Sequence, residues 1–260
     1  MTTSKTTFLF FFLFLSFSSF AQNQKLYWGF STGAGGVLTT IDKEVNFSQK
    51  IGFTTPTEVN LSYDLSEIWA LQLHVGIHAK RYSVSADKFY IHTYPIRPQA
   101  NFFEWQSNLT TGLNLVFRKP FNAQKKVYWG MMAGYGINWK NDGREGKRFS
   151  GKNCDDVIST PPFNFDPSSC EKALEVSYDF GNRGSHYYLL GLLTDITLPS
   201  KKSDKKNILR LAIVNRTGRG VPLSLMGNMI FYENGEAIEE VDFRSNGSTL
   251  SFEVGWLIPI

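Results

Sequence analysis

After its N-terminal segment the chain has no apolar run long enough to cross a bilayer as a helix, which takes about 20 residues, and its mean hydropathy is slightly negative. A helical membrane protein is therefore excluded. Charge of one sign is also scarce: the net charge is only +4, too mild to imply a nucleic-acid partner. Histidine and cysteine are few, and Cys154 and Cys170 have neither a histidine nor a further cysteine nearby, which argues against a metal site. No helical pattern follows Gly33-Ala34-Gly35-Gly36, so that cluster is not a nucleotide loop. No cofactor or metal is expected.

Aromatic residues, at 15%, are what the chain has in quantity. The N-terminus reads as a targeting segment. Lys5 supplies the positive charge, Phe8 to Leu15 is unbroken apolar sequence, and Ser19 and Ala21 put small side chains at −3 and −1 before Gln22. Residues 1–21 are expected to be a cleaved signal peptide and residues 22–260 one all-β domain. No cysteine follows the cleavage site, which disfavours a lipid anchor. In the oxidising compartment beyond, Cys154 and Cys170 are expected to form a disulfide. Closing that loop would stabilise by about 3 kcal/mol in the chain-entropy model.

Three long segments alternate with a period of two. Ile68–Arg81 sets Trp69, Leu71, Leu73, Val75 and Ile77 against Gln72, His74, Gly76, His78 and Lys80. Phe103–Arg118 sets Phe103, Trp105, Leu109, Leu113, Leu115 and Phe117 against Glu104, Gln106, Asn108, Asn114 and Arg118. Val127–Lys140 carries Val127, Trp129, Met131, Tyr135, Ile137 and Trp139 on one face. Leu26–Gly36, Thr57–Tyr63, Tyr187–Leu198, Asn207–Arg216 and Leu250–Ile258 are weaker copies, which makes eight strands. Asp195 is the one inward charge of Tyr187–Leu198.

Connections alternate between short (Asp64–Glu67, Lys119–Lys126, Leu198–Lys206) and long (Val37–Lys50, Ser83–Ala100, Asn141–Gly184, Thr217–Gly247). A membrane barrel does this because short turns face the periplasm and long loops the outside. In Thr217–Gly247, Asn234-Gly235 between strand-like runs predicts a hairpin projecting outside. The alternative makes its arms two more wall strands, giving ten. Glu236, Glu239, Glu240 and Asp242 in the second arm oppose this, because charge on a lipid face is costly.

Trp28, Trp69, Trp105, Trp129, Trp139 and Trp256 all fall on the apolar faces near strand ends. Indoles favour the membrane–water boundary and form girdles there. With these girdles, the strict loop alternation and the last strand carrying Trp256 and Ile258, the chain resembles the small Gram-negative outer-membrane β-barrels of OmpA/OmpX type. The resemblance spans the mature chain and is architectural. It implies location in the outer membrane among its lipids, assembly by the insertion machinery, and function through external loops. The ending Leu257-Ile258-Pro259-Ile260 departs from the phenylalanine common at such C-termini.

A narrow lumen needs its polar groups paired. Aligning the strands through the short turns predicts a polar network of Glu58 with His74, Lys80 with Glu104 or Gln106, and Arg210 with Glu253. Eight strands leave room for side chains and not for a pore. A membrane-embedded lipid-modifying enzyme would need a serine activated by a histidine. His186 adjoins Ser185, but neighbours on a strand point to opposite faces. Asp155, Asp156, Asp166 and Glu171 are too irregularly spaced for a calcium loop and read as solvated charges. The expected role is therefore non-enzymatic: external loops that bind a protein, a glycan or lipopolysaccharide, or a structural role in the envelope. A small channel or transport subunit is the alternative.

Overall fold

In chain order the strands are β1 (Leu26–Val37), β2 (Thr40–Ile41), β3 (Phe47–Gln49), β4 (Gly52–Asp64), β5 (Trp69–Ala86), β6 (Ala100–Pro120), β7 (Val127–Asn138), β8 (Glu145–Gly151), β9 (Cys154–Ser159), β10 (Lys172–Asp179), β11 (Ser185–Pro199), β12 (Lys206–Arg219), β13 (Leu225–Glu233), β14 (Glu236–Ser245) and β15 (Thr249–Pro259). This is a computed structural model, and it describes residues 26–41, 47–49, 51–86, 100–121, 123–139, 145–151, 154–159, 172–180, 185–199, 206–219, 225–233 and 236–260. The signal-peptide expectation lies outside the described residues.

Eight strands, β1-β4-β5-β6-β7-β11-β12-β15, pair antiparallel in that order, and β15 returns to β1 to close the barrel. Sequence neighbours are spatial neighbours, the up-and-down arrangement. The first and last strands meet at the short-turn end, where Ile260 N–H donates to Leu26 O at 2.8 Å. β4 starts at Gly52 and β5 runs to Ala86, both beyond the expected strand limits, because pairing continues past the alternating segments.

The wall is inside out relative to a soluble protein. Val59, Leu73, Ile77, Leu109, Met131, Leu192, Ile213 and Phe252 point outward and are exposed, while Glu58, His74, His78, Lys80, Asp195, Arg210, Arg216 and Glu253 are buried. Burying the charges and exposing the aliphatics is unfavourable in water and favourable in hydrocarbon, so this wall is that of a transmembrane barrel. All six tryptophans take outward positions, and all but the half-covered Trp256 are exposed. At the turn end Trp69, Phe117 and Trp129 form a continuous row, with ring centroids 5.1 and 6.2 Å apart. At the far end Trp139 Nε1–H donates to Thr111 Oγ1 at 2.9 Å, so the ring turns its polar edge to a partner.

Three of the long connections carry strands of their own. β13 and β14 form the expected hairpin around residues 234–235, with a bulge between Phe231 and Tyr232. Neither strand enters the wall, because β12 is already paired with β11 and β15. Eight strands, not ten, span the membrane. The hairpin instead belongs to a second sheet, β2-β14-β13-β10-β8-β9, built from three of the long connections.

Candidate functional site: the closed lumen and its cap

Inward positions on β4, β5, β12 and β15 converge on Arg216. Its Nη2 donates to Glu58 Oε1 at 2.8 Å and to Glu253 Oε2 at 3.3 Å, while Nη1 donates to Ser251 Oγ at 3.2 Å and closely to Glu253 Oε1. Glu58 Oε1 also lies 2.7 Å from His78 Nε2. One cation thus holds two buried carboxylates, and an imidazole shares the same oxygen of one of them. A second cluster lies toward the short turns. Arg210 grips Asp195 through two parallel bonds, 2.7 and 2.8 Å, and passes its Nη1–H to Gln72. Gln72 then donates to Asn60 at 2.6 Å and Asn60 to Ser31 at 2.9 Å. Paired and bonded in this way, buried charges avoid the several kcal/mol that an isolated one would cost.

These partners differ from the sequence alignment in a regular way. Glu58 stands opposite Gly76, not His74, so it lies between the two histidines and takes His78. His74 turns away to Tyr187 at 2.7 Å and Asn114 at 3.2 Å. Arg210 stands opposite Asp195 on one side and Gly255 on the other, so its carboxylate is Asp195. Glu253 stands opposite Ala212 and goes to Arg216. Lys80 does stand opposite Gln106, but its ammonium crosses the mouth to the Gly247 carbonyl at 2.9 Å. Of Glu104 only the strand position is described. Glu58–His78 and Glu253–Arg216 meet diagonally because barrel strands are staggered, whereas Arg210 simply takes the carboxylate directly opposite it on β11.

The other half of the lumen is apolar. Val116, Met132, Leu189, Leu193, Ala212 and Val214 pack together against Tyr187. Between the two polar clusters remains a cavity of about 20 Å³, room for about one water. Asn114 Oδ1 and Arg216 Nε, whose residues line it, have no partner among the described residues.

Above the lumen sits the second sheet. Leu225, Met229, Val241 and Phe243 of the hairpin and Val176 of β10 bury against Phe180 and against Val37 and Tyr82 of the barrel rim. The Tyr82 and Phe180 rings lie 5.9 Å apart. A short seam locks this cap: Ser245 Oγ donates to Leu38 O, Gly247 N–H to Ser245 Oγ at 3.1 Å, and Gly218 N–H to Ser248 Oγ at 3.1 Å. The opposite hairpin face mixes polar residues with the exposed Met226 and with Ile230, and on it Asn228 is held between Glu240 and Asp242.

Cys154 opens β9 and Cys170 lies outside the described residues, as does the expected disulfide with it. His186 faces outward and stacks on Tyr135, so it has no access to the lumen. Sequence alone does not mark Arg216, His78, Tyr187, Ser251 and Gln72 as network members. Their inward strand parity was the available signal, and it does not specify partners.

No family of known proteins matches the sequence, and no curated protein matches it. Among solved structures it is similar to the outer membrane protein OprG from Pseudomonas aeruginosa, at 10% identity, a TM-score of 0.41 and coverage of 90% of this chain and 95% of that one. It is also similar to the outer membrane protease OmpT from Escherichia coli, at 11% identity, a TM-score of 0.28 and the same coverage. Likeness at this level carries no functional argument.

Proposed function

We propose that this chain is a non-enzymatic outer-membrane β-barrel that works through its external cap, binding a protein or glycan at the cell surface. The observation that carries the reading is the division of labour between lumen and loops. Three long connections are built into one six-stranded sheet with an apolar inner face on the rim and a mainly polar outer face in solvent. Function on barrels resides in loops positioned by a rigid scaffold. A channel would call for an open lumen, whereas this one is bridged by Arg216, Arg210 and their carboxylates around a cavity of about 20 Å³.

The test replaces residues 219–245 with a short Gly-Ser linker between Gly218 and Asn246, which already touch. The barrel should still migrate as a heat-modifiable species, while surface binding to glycan arrays or a cross-linked protein partner is lost. If the shortened barrel instead retains binding, or the intact one conducts ions in a planar bilayer, the reading fails.

A further inference from the structure

The short-turn end of the barrel contains a vestibule of about 410 Å³, within the range of small-molecule sites. It is blind: Arg118 with Asp64, and Arg210 with Asp195, close it from the lumen. Tyr27 and Tyr128 form aromatic wall, with the Arg118 guanidinium 6.0 Å from the Tyr128 ring centre, and Ile208 adds apolar surface. Lys125 and Lys206 stand at its rim.

The charges lining it are unequally committed. Each carboxylate already has a cation: Asp64 has Arg118, Asp195 has Arg210, and Glu67 has Lys125 at 2.7 Å. On the cationic side, Arg118 Nε–H has no hydrogen-bond partner among the described residues, and Lys206 is exposed at the rim. Lys119 and Lys126 lie at the same end and raise the potential of one sign. With Arg210 behind Asp195, four described cations (Arg118, Arg210, Lys125 and Lys206) stand against three described carboxylates (Asp64, Asp195 and Glu67), and this concave, partly aromatic space favours anions over cations.

We propose that this vestibule binds a small organic anion, a carboxylate or phosphate on a compact, partly apolar body, with Lys206 as its principal charge partner. The site is independent of the external cap. Because the vestibule is blind, the anion enters and leaves on the turn side, so the site is a binding site and not a route. The same chemistry is offered by a free solute and by a phospholipid headgroup.

The full chain, folded in a neutral detergent, is titrated with benzoate and phenyl phosphate, with benzyl alcohol as the uncharged counterpart, by equilibrium dialysis. Saturable binding of both anions and none of the alcohol is expected. Lys206→Glu should weaken it about tenfold, the scale of one charge-assisted bond. Lys206→Gln should weaken it less, and Arg244→Glu at the opposite end should leave it unchanged. Heat-modifiable migration of each variant certifies the fold. Repeating the titration in phosphatidylcholine vesicles with and without phosphatidylglycerol assigns the source: competition by the anionic lipid supports a headgroup, and its absence supports a solute. Equal binding of benzyl alcohol, no saturable anion binding, or full affinity in a folded Lys206→Glu barrel overturns the proposal.

Discussion

His74 Nε2 lies 2.7 Å from the Tyr187 hydroxyl, although their strands, β5 and β11, are separated around the wall by β6 and β7. The two residues end one inward row in which His74 faces Gly112, Gly112 faces Gly136, and Gly136 faces Tyr187. Two missing side chains let an imidazole and a phenol lie toward each other across the lumen. A Cβ on Gly136 would fall 2.2 Å from Tyr187 Cζ, and one on Gly112 2.5 Å from the His74 ring. Gly136→Val is therefore expected to block native closure, read as loss of the heat-modifiable band. Tyr187→Phe, which keeps the shape but leaves the buried His74 nitrogen without its hydroxyl partner, should cost about 1–3 kcal/mol. Equal folding of wild type and Gly136→Val would show that the row is not packed as described.

Arg216 is the shared cation of Glu58 and Glu253, so its removal leaves two buried carboxylates without their main partner. Arg216→Met should cost about 3–5 kcal/mol in urea unfolding from vesicles. Adding Glu253→Gln to that variant should recover part of the loss. Losses that simply add would mean the two groups do not interact.

The wall makes an equally direct prediction. Leu192 is exposed in the apolar band, so Leu192→Arg should cost about 2–4 kcal/mol in a bilayer. In a wall facing water the same change would be close to neutral.

The cap should be separable from the barrel. Met229 is fully buried between sheet and rim, and burying such a side chain contributes about 1.5–3 kcal/mol. Met229→Asp is expected to raise hydrogen exchange in 225–245 while the wall strands stay protected. Loss of membrane insertion instead would assign the hairpin to the wall.

Alkaline pH should loosen the cap. Partial burial, and then the neighbouring Glu175 carboxylate that accepts its hydroxyl at 3.2 Å, raise the Tyr232 pKa above its ordinary 10.0. A raised pKa favours the protonated group in the folded state. That contribution is complete below pH 10 and is lost as pH rises through the higher folded value. Tyr232→Phe should remove this component of the alkaline transition in exchange of the hairpin amides, and an unchanged profile would assign it elsewhere.

Much of this architecture could be read locally. Alternation of two along Ile68–Arg81 or Asn207–Arg216 sorts each side chain in or out without reference to any other strand, since pleating is a property of the strand itself. The girdle positions followed from the same parity, and the hairpin from Asn234-Gly235 and its flanks. The network partners could not be read this way. Assigning Glu58 to His74 required the register, and a shift of two residues along one strand moved the carboxylate to His78 and Arg216.

The sequence by itself determined that eight alternating segments would make a membrane wall, with polar side chains inward and indoles at its edges. Only the tertiary structure decided which inward charges meet, that three of the long connections join into one sheet over the mouth, and that a vestibule remains at the other end. The physical reason is range. Parity and turn chemistry act within a few residues. Arg216 and Glu58, or Tyr82 and Phe180, are brought together only by the stagger and closure of strands far apart in the chain.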